Sequence, residues 1–285
     1  MTCIASTPYS RDLGDELRRL RETGTRYNGR CFATALNWDQ SKVSNIENGK
    51  VHASEIDLVQ FLTACGKDRD FINAFLERYR DAFNLYFVQV PQNLRTMVMA
   101  ETSASAITSY DNVAIPGLLQ LEEYTRELFR LGGLASDEEI EAGIRNRMDR
   151  QAILRRFDRP TATFFIHENV LQMKVGGDEL MARQIRRMLH NTHTVRLIPA
   201  SVAIPFSASY VLWEYERTAP VAFTSNDIAK VFAQDPAAVA TVKSIFQRLD
   251  AVALDAGQSR RELSKLVIIS REERDAPGLV AEEQL

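Results

Sequence analysis

The chain has 285 residues, 45% of them hydrophobic and 26% charged, which gives room for two domains with a sizeable core and matches an ordinary soluble protein. No apolar run approaches the roughly 20 residues of a membrane helix, and the opening MTCIASTPYSRD lacks the basic-then-apolar order of a signal peptide, so neither a membrane span nor secretion is expected. Three scattered cysteines (Cys3, Cys31 and Cys65) suit a reducing cytoplasm with no disulfide framework, and a net charge of −3 argues against a protein that coats nucleic acid non-specifically.

In chain order, Leu13, Leu17 and Leu20 make one apolar stripe, so a first helix is expected over 11–23, stopping at Gly24. Asn28 can cap a second helix, 29–36, with Phe32, Ala33 and Leu36 inward. Asn37-Trp38 is a short turn in which Asn37 takes the left-handed conformation that most residues avoid. Asp39 is placed to cap a third helix through its side chain, and Val43 and Ile46 give that helix its buried face. Gln40, Ser41, Lys42, Ser44 and Asn45 fall on the other faces, and these are the side-chain types that read base edges in the major groove. Gly49 ends the helix at the C′ position. After a loop at 49–53, Ser54 and Asp57 form a capping box for a fourth helix, with Val59, Leu62 and Cys65 buried and Gly66 at its end. A fifth helix over 68–87 would carry Phe71, Ile72, Phe75, Leu76, Tyr79, Phe83 and Phe87. Cys31 and Cys65 read as small core residues.

The segment 88–100 reads as a linker or domain entrance, broken at Pro91. Beyond it the order is a β-branched stretch over 101–111, a turn at Pro116-Gly117, and helices over 120–131 and 136–156. A strand follows over Thr161–His167, then a helix over 178–191 with Leu180, Met181, Ile185, Met188 and Leu189 buried. Further strands are expected at Val195–Ile198, Tyr210–Tyr215 and Val221–Phe223, and a last helix from Asp235-Pro236 through about Leu254. The tail, 271–285, is charged and expected to be mobile. The expected fold class is α+β: an all-α five-helix DNA-binding bundle, 1–87, followed by a mixed α/β domain, 88–270.

Residues 11–66 resemble the Cro/cI-like (XRE-type) helix-turn-helix repressors. The resemblance is carried by Leu17, Leu20-Arg21, Phe32-Ala33, Leu36, Gln40-Ser41-Lys42-Val43-Ser44 and Ile46-Glu47-Asn48-Gly49. The chain departs from that family in the loop Thr23–Tyr27, about one residue longer than usual, and at Asn37, where the family usually has Gly. Residues 100–270 resemble the large C-terminal domain of actinobacterial regulators such as the WhiJ-like proteins. The matching pieces are Ala100-Glu101, Ile115–Gln120, Arg147 with Arg150-Gln151-Ala152, Glu168–Leu171, Val175-Gly176-Gly177, Val195–Pro199 and Asp235-Pro236. The resemblance implies a cytoplasmic, nucleoid-associated repressor, and it implies that Arg21 and Glu47 form a structural pair fixing the third helix. It also implies a small protein partner encoded by a neighbouring gene.

The expected base-reading residues are therefore Gln40, Ser41, Lys42, Ser44 and Asn45, with Asn28, Gly29, Arg30, Asn48 and Lys50 on the DNA backbone. Residues 11–52 carry eight basic against six acidic side chains, a small local surplus compatible with salt-sensitive binding. The expected partners are a double-stranded DNA operator and a second copy of the chain, giving a homodimer; no membrane contact and no cofactor are expected. His190 and His193, with His167-Glu168 upstream, lack a defined ligand set, so no metal is expected. Gly176-Gly177 reads as a turn, and no nucleophile motif points to an enzyme. Trp213, Tyr215, Phe164 and Phe206 either line a pocket or pack a sheet. Two function classes remain: a transcriptional regulator whose larger domain senses a protein or small molecule, and an antitoxin-like interaction protein that sequesters a small partner and autoregulates.

Overall fold

The computed structural model describes residues 6–89, 94–190, 194–206 and 208–275. Two compact units divide the chain, one built from residues 1–105 with 212–242 and the other from 106–211 with 243–285.

The first unit opens with five helices. Helix α1 (Pro8–Gly24) begins three residues before the expected start, because Thr7 and Ser10 form a capping box and Pro8 sits at the first helical position. Helix α2 (Gly29–Ala35) is capped by Asn28, whose Oδ1 accepts from Cys31 N at 2.9 Å. Helix α3 (Gln40–Glu47) follows, then α4 (Glu55–Ala64), opened by the Ser54/Asp57 capping box, and α5 (Arg69–Arg80). Helices α2, α3 and α4 end alike. Trp38, Lys50 and Lys67 each donate a backbone N–H back to Ala33, Asn45 and Leu62, through a left-handed Asn37 (φ 56°), Gly49 (φ 61°) and Gly66 (φ 73°). The core they enclose centres on Leu13, Leu17, Phe32, Val43, Ile46, Leu58, Phe61, Leu62 and Phe75. Phe32 and Phe61 meet edge-on at 4.7 Å.

Three sequence expectations are corrected here. Val59 is exposed, since the buried stripe of α4 runs through Leu58, Phe61, Leu62 and Cys65. Cys31 is exposed, because Phe32 and Ala33 take the inner face of so short a helix. The fifth helix stops at Arg80, not 87. A turn in which Asn84 bonds Asp81 redirects the chain, and Tyr86–Gln89 becomes strand β1 with alternating exposed and buried residues.

The same unit includes α6 (Arg95–Thr102) in the segment expected to be a linker; Pro91 lies outside the described residues. Strand β1 pairs antiparallel with β7 (Lys230–Ala233), which pairs antiparallel with β6 (Val221–Ser225). Phe87 of β1 stacks on Tyr9 of α1 at 4.9 Å and on Phe232 of β7 at 4.5 Å, and Trp213 and Phe223 extend this aromatic column.

In the second unit, β2 (Ala106–Asp111), β3 (Thr161–His167) and β4 (Thr194–Ile198) run parallel, Asp111 opposite Ile166 and His167 opposite Ile198. Parallel neighbours need long crossovers. These are α7 (Glu122–Gly132) and α8 (Asp137–Arg150), then a short α9 (Asn169–Gln172) and α10 (Asp178–Leu189). The expected 136–156 helix ends at Arg150 and tightens into a 3-10 turn, Gln151–Arg155. Leu189 is only half-buried. Strand β5 (Tyr210–Glu214) and helix α11 (Pro236–Val252) match expectation to within two residues. A further helix, α12 (Ala256–Asp275), occupies a stretch with no element assigned from sequence and carries helical backbone into the expected tail; 276–285 lie outside the described residues. The architecture is thus five N-terminal helices followed by a mixed α/β region with seven strands among the described residues. Trp213 and Phe164 are fully buried core residues.

Candidate nucleic-acid interface

The geometry of the candidate interface begins with how α3 is held. Gly14 of α1 lies so close to the end of α3 that a Cβ there would come within 2.8 Å of Ile46 O, Glu47 O and Gly49 N. Ser10 Oγ donates to Gly49 O at 2.9 Å. Arg21 reaches across from α1 and grips Glu47 with both ends of its guanidinium, Nε to Oε1 at 2.6 Å and Nη2 to Oε2 at 3.0 Å. Both residues are 5% exposed, and the Glu47 hydrogen bonds hold the Arg21 guanidinium above its ordinary pKa. Arg21 also donates to Tyr27 O at 3.1 Å.

The sequence does not single out Arg18, yet it completes this arrangement. Its Nη2 donates to Asn48 Oδ1 at 2.8 Å, and its Nε lies 3.5 Å from Glu47 Oε2. The available signal was its spacing of three from Arg21, which puts both on one face of α1. Asn48 turns its amide back onto Ser44 O at 2.6 Å, so its side chain closes α3. Tyr79 of α5 fixes the following loop, accepting from Ala53 N at 3.0 Å and donating to Val51 O at 3.3 Å.

Held this way, α3 leaves Gln40, Ser41 and Ser44 exposed and Asn45 half-buried. Asp39 occupies the N-cap position, but its side chain makes no capping bond; the helix is opened by its backbone carbonyl, which accepts from Lys42 N at 3.0 Å. Lys42 stands apart from its neighbours. Its Nζ is 2.7 Å from Asp57 Oδ1 and 4.1 Å from the centre of the Trp38 ring. Burial alone would raise the Asp57 carboxyl, but hydrogen bonds from Lys42 and Ser54 outweigh it and hold the group below its ordinary value. Asn28, Arg30 and Lys50 are exposed, and Gly29 is half-buried.

In the second unit, the sequence motifs that carry the C-terminal resemblance are committed to scaffolding. Gln120 donates to Ile115 O at 2.6 Å and accepts from Arg147 at 2.8 Å and Thr125 at 2.9 Å. Gln151 donates to Gln120 O at 2.7 Å, and Gln184 bridges Leu119 O and Leu121 N. All three glutamines are buried, so together they satisfy the backbone of the Ile115–Gln120 turn. Gly176 (φ 68°) and Gly177 (φ 85°) make the turn into α10; in the first unit, Asp235 Oδ1 caps α11 through Ala237 N and Ala238 N, both at 3.0 Å. His190 Nδ1 lies against Arg186 O at 2.7 Å; His193 lies outside the described residues, as does Cys3. Among the described residues no group of His, Cys, Asp and Glu side chains is arranged to hold a metal ion, and no helix is long and apolar enough to cross a membrane.

Residues 12–75 match the family described as Helix-turn-helix domain, which spans α3 and supports a DNA-binding regulator. No protein of curated function matches the chain. Residues 94–265, more than half its length, match a second family, and by that match the chain belongs to the family described as Domain of unknown function (DUF5753).

Proposed function

We propose that this regulator binds a specific operator as a homodimer and acts as a repressor of the XRE type. Gln40, Ser41, Ser44 and Asn45 would read base edges, and Asn28, Gly29, Arg30, Asn48 and Lys50 would meet the sugar-phosphate backbone. The supporting observation is the face of α3: four uncharged polar side chains at the solvent side of a helix locked by the buried Arg21–Glu47 pair. A Gln at the start of such a helix can grip adenine through two hydrogen bonds. Two copies would set their recognition helices about 34 Å apart, one turn of DNA.

In this reading residues 1–87 contact DNA, and residues 88–270 assemble the dimer and respond to a small molecule or to a protein encoded by a neighbouring gene. The scaffolding use of Gln120, Gln151 and Gln184 favours assembly and sensing over chemistry, since those side chains are spent on backbone. The reading implies a cytoplasmic protein on the nucleoid. Selection of duplexes from a random library by the full chain, with the mass of the complex measured in solution, tests it. A two-fold symmetric enriched sequence bound by two chains is expected; no enrichment, or one chain on a single half-site, would overturn it.

A further inference from the structure

We propose that Asp57 determines what the recognition helix can read, by withholding Lys42 from DNA. The proposal rests on the DNA-binding reading above. Lys42 is the sole cation in α3. A free lysine there would seek guanine O6 and N7 or a phosphate oxygen. Instead its ammonium is held from two sides, by the Asp57 carboxylate at 2.7 Å and by the face of the Trp38 ring at 4.1 Å.

An ion pair of this exposure, 38% for Lys42 and 20% for Asp57, would be weak if both partners had to be ordered. Here the two groups that receive the ammonium are held by the fold. Asp57 is fixed by its capping box, with Oδ2 accepting from Ser54 N at 3.4 Å and its own N–H donating to Ser54 Oγ at 3.1 Å. Trp38 is held by the turn through its backbone N–H, bonded to Ala33 O at 2.8 Å, and its half-buried side chain packs against the bundle core. The entropy of ordering the acceptor and the ring is already met by the fold, which favours the closed arrangement of Lys42. A phosphate approaching Lys42 also meets the Asp57 charge, so the pair presents no net attraction. The helix is left to read by the neutral side chains of Gln40, Ser41, Ser44 and Asn45. Recognition then depends on hydrogen bonds, with no counterion release from α3 and no lysine-to-guanine contact.

The test compares the full chain with Lys42→Met, Asp57→Asn and the double variant, after thermal melts establish that each folds. The probes are the duplex enriched by the wild-type chain and a scrambled duplex of the same length. Affinity is measured across a range of salt, and base preference by renewed selection. Lys42→Met is expected to keep the wild-type base preferences, while the unpaired Asp57 carboxylate it leaves weakens binding to both duplexes. Asp57→Asn is expected to steepen the log–log slope by about 0.9, one released counterion, and to tighten binding to the scrambled duplex. The double variant should return to the wild-type slope. The proposal is overturned if the double variant flattens the slope by about 0.9, or if Lys42→Met erases a guanine preference, for Lys42 would then already be on the DNA. A folded Asp57→Asn that changes neither slope nor preference also overturns it. If Asp57→Asn fails to fold, the base preferences of Lys42→Met decide: an erased guanine preference overturns the proposal, and kept preferences uphold it. A wild-type chain that enriches no sequence would instead remove the DNA-binding reading, and the proposal with it.

Discussion

Arg21 and Glu47 carry the largest single-residue consequences. Each is nearly enclosed and each is the other's principal charge partner. Glu47→Ala removes both short bonds to Arg21 and leaves it the 3.4 Å contact with exposed Glu22 and the Tyr27 carbonyl; breaking a buried pair costs about 3–5 kcal/mol. A thermal melt should show that loss, and operator binding should weaken with it; an unchanged melting temperature would show that Glu22, 3.4 Å from Arg21 Nη2, and solvent suffice. Tyr79→Phe tests a different bond. It removes the acceptor for the buried Ala53 N–H and should cost about 1–3 kcal/mol in a denaturant titration. Asp57 supplies one acid-side pH dependence. Its native carboxyl lies below the ordinary Asp value of 3.8, so its contribution is complete above that value and is lost as the pH falls through the depressed native one. Following the Asp57 carboxyl by NMR should show a midpoint below 3.8 that moves up in Lys42→Met. These contacts were unevenly legible. The Arg21–Glu47 pairing was implied by family resemblance. The Lys42–Asp57–Trp38 contact was not foreseen, because residues 15 apart show no periodicity linking them.

At the scale of elements, α3 was legible because its ends have special backbone needs that few residues meet: Asn37 and Gly49 both have positive φ. The close approach of α1 was not legible, since Gly14 inside a helical stripe looks merely tolerated. Gly14→Ala should therefore do more than its helix propensity suggests. The new Cβ must push Ile46, Glu47 and Gly49 backbone away, so a loss of about 1–3 kcal/mol and weaker operator binding are expected together. Gly132→Ala, with nothing within 4 Å of its Cβ, is the control and should be neutral or mildly stabilising by melt. The end of α5 and the start of β1 were misread from sequence for a reason visible in the residues. The aromatic spacing from Phe71 to Phe87 suits a helix face, and only the Asp81–Asn84 turn separates that pattern from the two-residue period of Tyr86–Gln89. Strand β7, four residues long, is too short to declare itself in a sequence.

For the whole molecule, the structure has the expected order of five helices and then a mixed α/β region, and its first compact unit joins residues 1–105 to 212–242. Nothing in local periodicity reveals that join, which depends on strand pairing between residues about 145 positions apart. It has a measurable consequence. Phe232 is fully buried and stacks on Phe87, which stacks on Tyr9 of α1. Phe232→Ala should cost about 3–5 kcal/mol, and amide exchange at Leu13 and Leu17 should quicken with it; exchange there unchanged would separate the helices from the strands energetically.

The central claim, that the exposed face of α3 reads base sequence, is tested most directly by Gln40→Ala on the operator enriched by the wild-type chain. Binding should weaken by about 1–3 kcal/mol and preference should relax at one position in each half-site, with the melting temperature kept. Unchanged affinity and unchanged preference in a folded Gln40→Ala would contradict it.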